Sequence, residues 1–389
     1  MSRKGFIRQL VGKPDVPESA VEVPDPCEIS RPAPSKPPVW VWVLILVGAV
    51  VALMVMLYLS GARQLSGGSF FLFPVMMISL LGIMRNRMGS NGKKDHGSAM
   101  NQDRADYMRK IDEQRVKIHE AGRAQATEIS YHHPDPTNGS LATLVGTGRM
   151  WERTPNERNF GHARLGLGVT RLKTKLQPPT KVPPPEFRET VTTVAARDLL
   201  IAQNVVHDVP RPLHLFDQMG WAFFAEPQMR PAVQGLLRSL VCQVATFHGP
   251  DDVRIAIISE DEAAWDWAKW LPHNGDDELV DACGPVRMIF PDVPSFMERF
   301  GEALSLRGPF QTRQDGSALP DGHFMVVVVD LPEADCSPIL GVQGRLGVSV
   351  LEATGNEQSV LANGATAFFM AADEDGTINL LKAAGQEVY

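Results

Sequence analysis

The chain has 389 residues, enough for one sizeable domain or two small ones. Charged residues make up 21% of it and the formal net charge is −7, without the basic excess or basic face of a nucleic-acid binder. Cys27, Cys242, Cys283 and Cys336 are widely spaced and form no CxxC pair, which argues against a zinc site and fits a reducing compartment.

Residues 1–38 contain many prolines and few large apolar residues, the composition of a flexible or extended tail. Residues 39–59, Val39 to Leu59, carry no charge, and about 20 apolar residues are what an α-helix needs to cross a bilayer. Trp40, Trp42 and Tyr58 sit near the ends of this run, where aromatic rings favour the interface. After a turn at 60–64, residues 65–84 form a second apolar run interrupted by Pro74, read as a second span with a re-entrant or interfacial segment as the alternative. The first run lies too far in, and is too long, for a cleaved signal. Arg31 and Lys36 precede the pair, Arg85, Arg87, Lys93 and Lys94 follow it, and only Arg63 lies between. The positive-inside rule then puts both termini in the cytosol.

Residues 85–134 read as a basic linker followed by a stalk helix. Within Gln102 to Glu128, Tyr107, Ile111 and Ile118 recur at helical spacing and charges fill the other faces. One narrow apolar stripe cannot build a core, so Tyr107, Ile111 and Ile118 are expected to dock a partner, or else to pack on the chain's own domain. Residues 135–389 read as one α/β domain. Helices are expected at Thr192–Asn204, Arg230–Phe247 and Val293–Leu306. Strands are expected at Trp221–Phe224, Val253–Ser259, Val286–Phe290, Phe324–Asp330, Val348–Leu351 and Ala367–Met370. Such alternation predicts a mostly parallel sheet covered on both faces.

The strand ending in Asp330 has the form that carries the Mg²⁺-holding acid in P-loop nucleotidases. The strand–loop–helix that should cradle phosphate exists at Trp221–Phe247. Its loop, Ala225-Glu226-Pro227-Gln228-Met229-Arg230-Pro231, has no glycine and no Lys followed by Ser or Thr. Asp330 reads either as a strand-end acid capping the next turn or as a degenerate counterpart of the metal-holding acid, and no catalytic set or resident cofactor is expected in this segment. The adjacent His132 and His133 point in different directions in a regular element and make a poor metal pair. Gly166-Leu167-Gly168 is only a GxG.

Several stretches together resemble the EccC family, the FtsK/SpoIIIE-type ATPases of type VII (ESX) secretion systems. They are the apolar pair, Asp103-Arg104-Ala105-Asp106-Tyr107, Tyr131-His132-His133-Pro134-Asp135-Pro136, Arg149-Met150-Trp151-Glu152-Arg153, Arg164-Leu165-Gly166-Leu167-Gly168 and Trp265-Asp266-Trp267-Ala268-Lys269-Trp270-Leu271-Pro272-His273. The resemblance implies two transmembrane helices in the bacterial inner membrane, a stalk and a degenerate ATPase-like domain. It implies that ATP and Mg belong to downstream domains that also meet the secreted substrates. It implies an oligomer with EccB, EccD and EccE as partners, and EccD as the one docked by the stalk. The segment would then anchor and couple a secretion motor. The competing readings are a domain that itself binds and hydrolyses ATP, and a membrane-tethered interaction module unrelated to secretion.

Overall fold

A computed structural model describes residues 12–29, 92–137, 139–312, 319–320, 322–356, 358–362 and 366–382, with scattered positions between 45 and 60. The apolar run 65–84 lies outside the described residues, as does much of 39–59. Ile45, Val51, Val55, Met56 and Leu59 are described; they are helical and exposed. No helix among the described residues is long and apolar enough to cross a membrane.

In chain order the elements are β1 (Ala20–Glu22), α1 (Gly92–His132), α2 (Ser140–Leu144), β2 (His162–Arg171), β3 (Lys175–Gln177), α3 (Thr190–Ala202), β4 (Val205–His214), β5 (Gly220–Ala225), α4 (Arg230–Phe247), β6 (Val253–Ser259) and α5 (Glu262–Trp265). They continue as β7 (Gly275–Asp281), β8 (Gly284–Arg287), β9 (Ile289–Phe290), α6 (Val293–Ser305), β10 (Phe324–Asp330), α7 (Ser337–Leu340), β11 (Val348–Thr354), β12 (Ala367–Ala372) and β13 (Ile378–Lys382). The chain divides into two compact units, one of residues 1–17, 122–173 and 205–389, the other of 18–121 and 174–204.

The larger unit is built on a seven-stranded sheet in the order β13-β12-β5-β11-β10-β6-β9. Every pairing in it is parallel except β12–β13. The central strands are apolar throughout because both faces are covered. On one face Val326 and Val328 of β10 and Leu351 of β11 meet Val233, Leu237, Leu240, Val241 and Val244 of α4. Those α4 positions recur at the helical period, which is why this stretch is a helix with one buried face. On the other face Val327, Val329 and Val350 meet Phe296, Phe300 and Leu304 of α6 and Ile339 of α7. Asp292 caps α6 by accepting from the Ser295 N–H at 2.8 Å. A separate antiparallel ribbon, β2–β4, contains the Gly166-Leu167-Gly168 stretch and has register shifts on either side of it. That GxG lies in a strand, not in a phosphate loop.

The smaller unit holds most of α1, with α3 and the parallel pair β1–β3. Tyr107, Ile111 and Ile118 are only 3%, 2% and 2% exposed. This corrects the expectation of an open docking stripe, since the chain itself covers these side chains. The Tyr107 hydroxyl donates to the Pro24 carbonyl at 3.0 Å. Arg104 reaches Glu189 at 2.8 Å, and Glu189 also caps α3 by accepting from the Val191 and Thr192 N–H groups. The cover comes from segments some eighty residues away in sequence, which helical periodicity alone cannot reveal.

Candidate functional site

The C-terminal ends of β5 and β10 lie at the same edge of the sheet, with β11 between them. That edge is where open α/β sheets bind ligands. Asp330 ends β10 there and is 3% exposed. The first turns of α4 bring two side chains to it, one helical turn apart. Arg230 donates to Oδ1 at 2.8 Å, and Gln234 donates to Oδ2 at 2.9 Å. Trp265, at the end of α5, donates its indole N–H to the same Oδ2 at 2.9 Å. A guanidinium thus stands beside the carboxylate, and both carboxylate oxygens are engaged.

The loop before α4 is closed as well. Pro227 and Pro231 have no N–H. The Met229 N–H is bonded to the Glu226 carbonyl at 2.8 Å, and the Arg230 N–H to the Pro227 carbonyl. Those groups are therefore not aimed outward as a phosphate nest requires. Glu226 adds a carboxylate that engages Gln228. Sequence reasoning found Asp330 and the empty loop. It missed Arg230, Gln234 and Trp265, although the spacing of Arg230 and Gln234 places them on one helix face.

A second constellation in the same unit gathers stretches that carry the family resemblance. The last carbonyls of α1 are held by arginines. Arg149 donates to the Tyr131 carbonyl at 2.6 Å and to Glu152 at 3.2 Å, and its guanidinium lies 3.9 Å from the Tyr131 ring centroid. Arg153 is buried, donates to the carbonyls of His132 and His162, and lies over the Phe247 ring at 4.1 Å. Burial brings its guanidinium down to about 10. Cations at a helix C-terminus are also stabilised by the negative end of the helix dipole. Trp151, between them, has φ 56, unusual for so bulky a residue. It is pinned by its N–H to Thr246 at 2.9 Å and its indole to Ala245 at 3.0 Å.

The histidines complete this joint. The Gly161 N–H donates to His248 Nε2 at 2.8 Å, so the His248 proton is on Nδ1, facing the Val244 carbonyl at 3.1 Å. His273 bonds the His248 carbonyl at 2.8 Å. The rings of His162 and His214 stack at 3.8 Å, and His133 stacks on His162 at 6.0 Å. Burial pushes His133 down to about 2 and His273 to about 4. Burial also pushes His248 well below the usual histidine range. His133, His248 and His273 are neutral packing groups, and no cluster of metal-ligating side chains occurs among the described residues.

No family model matches the chain. It is 32% identical to the ESX-5 secretion system protein EccC5 of Mycobacterium marinum over 91% of its own length and 26% of that protein. It is 31% identical to the ESX secretion system protein EccC of Thermomonospora curvata, over 78% of this chain and 22% of that protein. The chain belongs to the EccC family. It spans about a quarter of the length of these relatives. The solved cytoplasmic domain of the T. curvata type VII secretion ATPase EccC aligns with 46% of this chain and 24% of that one. Its TM-score is 0.31 at 11% identity, too slight a likeness to argue from.

Proposed function

We propose that this EccC-family segment is the membrane-anchoring and coupling part of an ESX secretion motor, and that it does not itself turn over nucleotide. The observation that carries this is the occupied carboxylate. Asp330 is bound by Arg230, Gln234 and Trp265, so a bound nucleotide–metal complex would have to displace an internal ion pair. ATP and Mg then belong to domains elsewhere in the longer relatives.

Coupling is supported by the joint at the end of α1. Arg149 and Arg153 fasten the last turn of that helix to the carbonyl end of α4 and the start of β2. Displacement of the sheet would reach the last turn of α1 through stacked rings and a buried guanidinium. Anchoring rests on the apolar runs 39–59 and 65–84 and their Lys/Arg asymmetry. In this reading both termini are cytosolic, the membrane is the bacterial inner membrane, and EccB, EccD and EccE are the neighbours.

Affinity purification of the tagged chain from membranes of its own host tests the reading. Those neighbours should co-purify, and replacing 39–84 by a polar linker should abolish the complex. A chain recovered from the soluble fraction without them would overturn it.

A further inference from the structure

The loops at the N-terminal edge of the sheet, opposite Asp330, hold two cations against backbone carbonyls. Arg307 donates to the carbonyls of His323 at 2.7 Å and Leu346 at 3.2 Å. Arg345 donates to the carbonyls of Ile339 at 2.8 Å and of Leu304. Carbonyls fix a guanidinium in place without neutralising it, and neither arginine has a carboxylate partner among the described residues. Burial and the neighbouring Arg345 push Arg307 below the usual arginine range. These loops are fastened to each other. The Phe310 N–H donates to the Gln343 carbonyl at 3.2 Å, and the Leu346 N–H to the Gly308 carbonyl at 2.9 Å. Gly344 has φ +70, and a Cβ there would meet Met219 Sδ and Phe310 Cβ at 2.5 Å. Yet the same loops leave Val342 fully in solvent and Leu306 82% exposed.

The β7–β8 hairpin has the opposite character. Asp276, Asp277, Glu278 and Asp281 lie along it, and two arginines, Arg254 and Arg299, pair with them. Between Glu278 and Asp281 the side chains of Leu279 and Val280 are 46% and 69% exposed. His323 joins the two regions. Its ring meets Asp277 at 3.1 Å, and its carbonyl accepts from Arg307. Cationic loops and acidic hairpin therefore lie side by side on one edge of the larger unit.

We propose that this edge is a self-association surface, on which the β7–β8 hairpin of each copy rests against the Arg307–Arg345 loops of a second copy of this chain. Charge complementarity selects that occupant. The hairpin carries carboxylates beyond those its own arginines can answer, and the loops carry guanidiniums that no carboxylate answers. A two-fold rotation sets each against the other, twice, as a self-complementary patch requires. The apolar side chains follow the charges, since Leu279 and Val280 would cover Leu306 and Val342.

The test is sedimentation equilibrium of the purified full chain in detergent, with the sign of charge varied at the two exposed valines. Val342→Asp should weaken self-association more than Val342→Lys, by about tenfold or more, because the loops face an acidic tip. At the hairpin the order inverts, and Val280→Lys should weaken it more than Val280→Asp by a similar factor. Both side chains project into solvent in the single chain, so the melting temperatures of the four variants should match wild type. A measure that needs no variant is salt. Raising NaCl from about 50 to about 500 mM should weaken the wild-type association by about tenfold or more. A wild type that stays monomeric, association indifferent to salt, or equal effects of Asp and Lys at either position would each overturn the proposal.

Discussion

Asp330 is held by donors on both of its carboxylate oxygens. It sits where an acidic strand end was expected, but Arg230, Gln234 and Trp265 consume it. Asp330→Ala should cost about 2–3 kcal/mol, because it leaves the buried Trp265 indole N–H and the partly buried Arg230 and Gln234 without their partner. A urea denaturation series measures this, and a loss below about 1 kcal/mol would mean that water satisfies those donors. Gly161 makes a sharper demand. Its φ is +75, and a Cβ there would meet the Phe216 ring at 2.6 Å. Gly161→Ala should therefore destabilise by about 2 kcal/mol or more, read in the same series. The histidines predict a pH dependence. Burial holds His133 near 2 and His273 near 4 when folded, while the unfolded chain protonates them at about 6.5. The unfolded state therefore binds more protons between those values. Stability is full above pH 6.5 and falls below it, by up to about 1.4 kcal/mol per pH unit for each group. Glu352 runs the other way, because burial raises its carboxyl above the ordinary 4.5. Its contribution is full below pH 4.5 and is lost as pH rises through the folded value. Glu352→Gln should remove that loss, seen as a higher denaturation midpoint than wild type at pH 8. Asp330 itself was legible in the sequence. Its three donors were not, because Trp265 reaches it across 65 residues.

Among the elements, those built on continuous apolar runs were readable. The strand Phe324–Asp330 and the helix Arg230–Phe247 fall where the sequence places them. The ribbon β2–β4 did not announce itself, because Pro210, Pro212, Gly166 and Gly168 break its alternation and its pairing has bulges. Strands β1 and β3 have three residues each and form only through a pairing across some 155 residues. The stalk stripe was seen, but its cover was assigned to a partner when the chain's own segments supply it. The joint at the end of α1 gives a prediction of its own. Arg153→Met removes the donor to His132 and His162. Amide exchange in the last turn of α1 should speed by about tenfold or more, while exchange around Tyr107 to Ile118 stays slow. Equal acceleration in both places would mean that Arg153 supports the whole fold rather than this joint.

For the whole molecule, the family was legible in dispersed motifs, and the structure explains several of them. Arg149 to Arg153, Tyr131 to His133 and His273 belong to the joint, Arg104 and Tyr107 brace the smaller unit, and Trp265 anchors on Asp330. Topology remains a prediction from charge. Single cysteines placed near Arg63, in a background lacking the native four, should react with an impermeant thiol reagent from outside, and cysteines near Lys93 should not. The reverse labelling would contradict the cytosolic placement. The central claim, coupling without nucleotide turnover, is tested most directly by titrating the purified chain with MgATP in a calorimeter, for wild type and Asp330→Asn. No saturable binding in either is the expected result. Stoichiometric MgATP binding by the wild type that Asp330→Asn abolishes would contradict it.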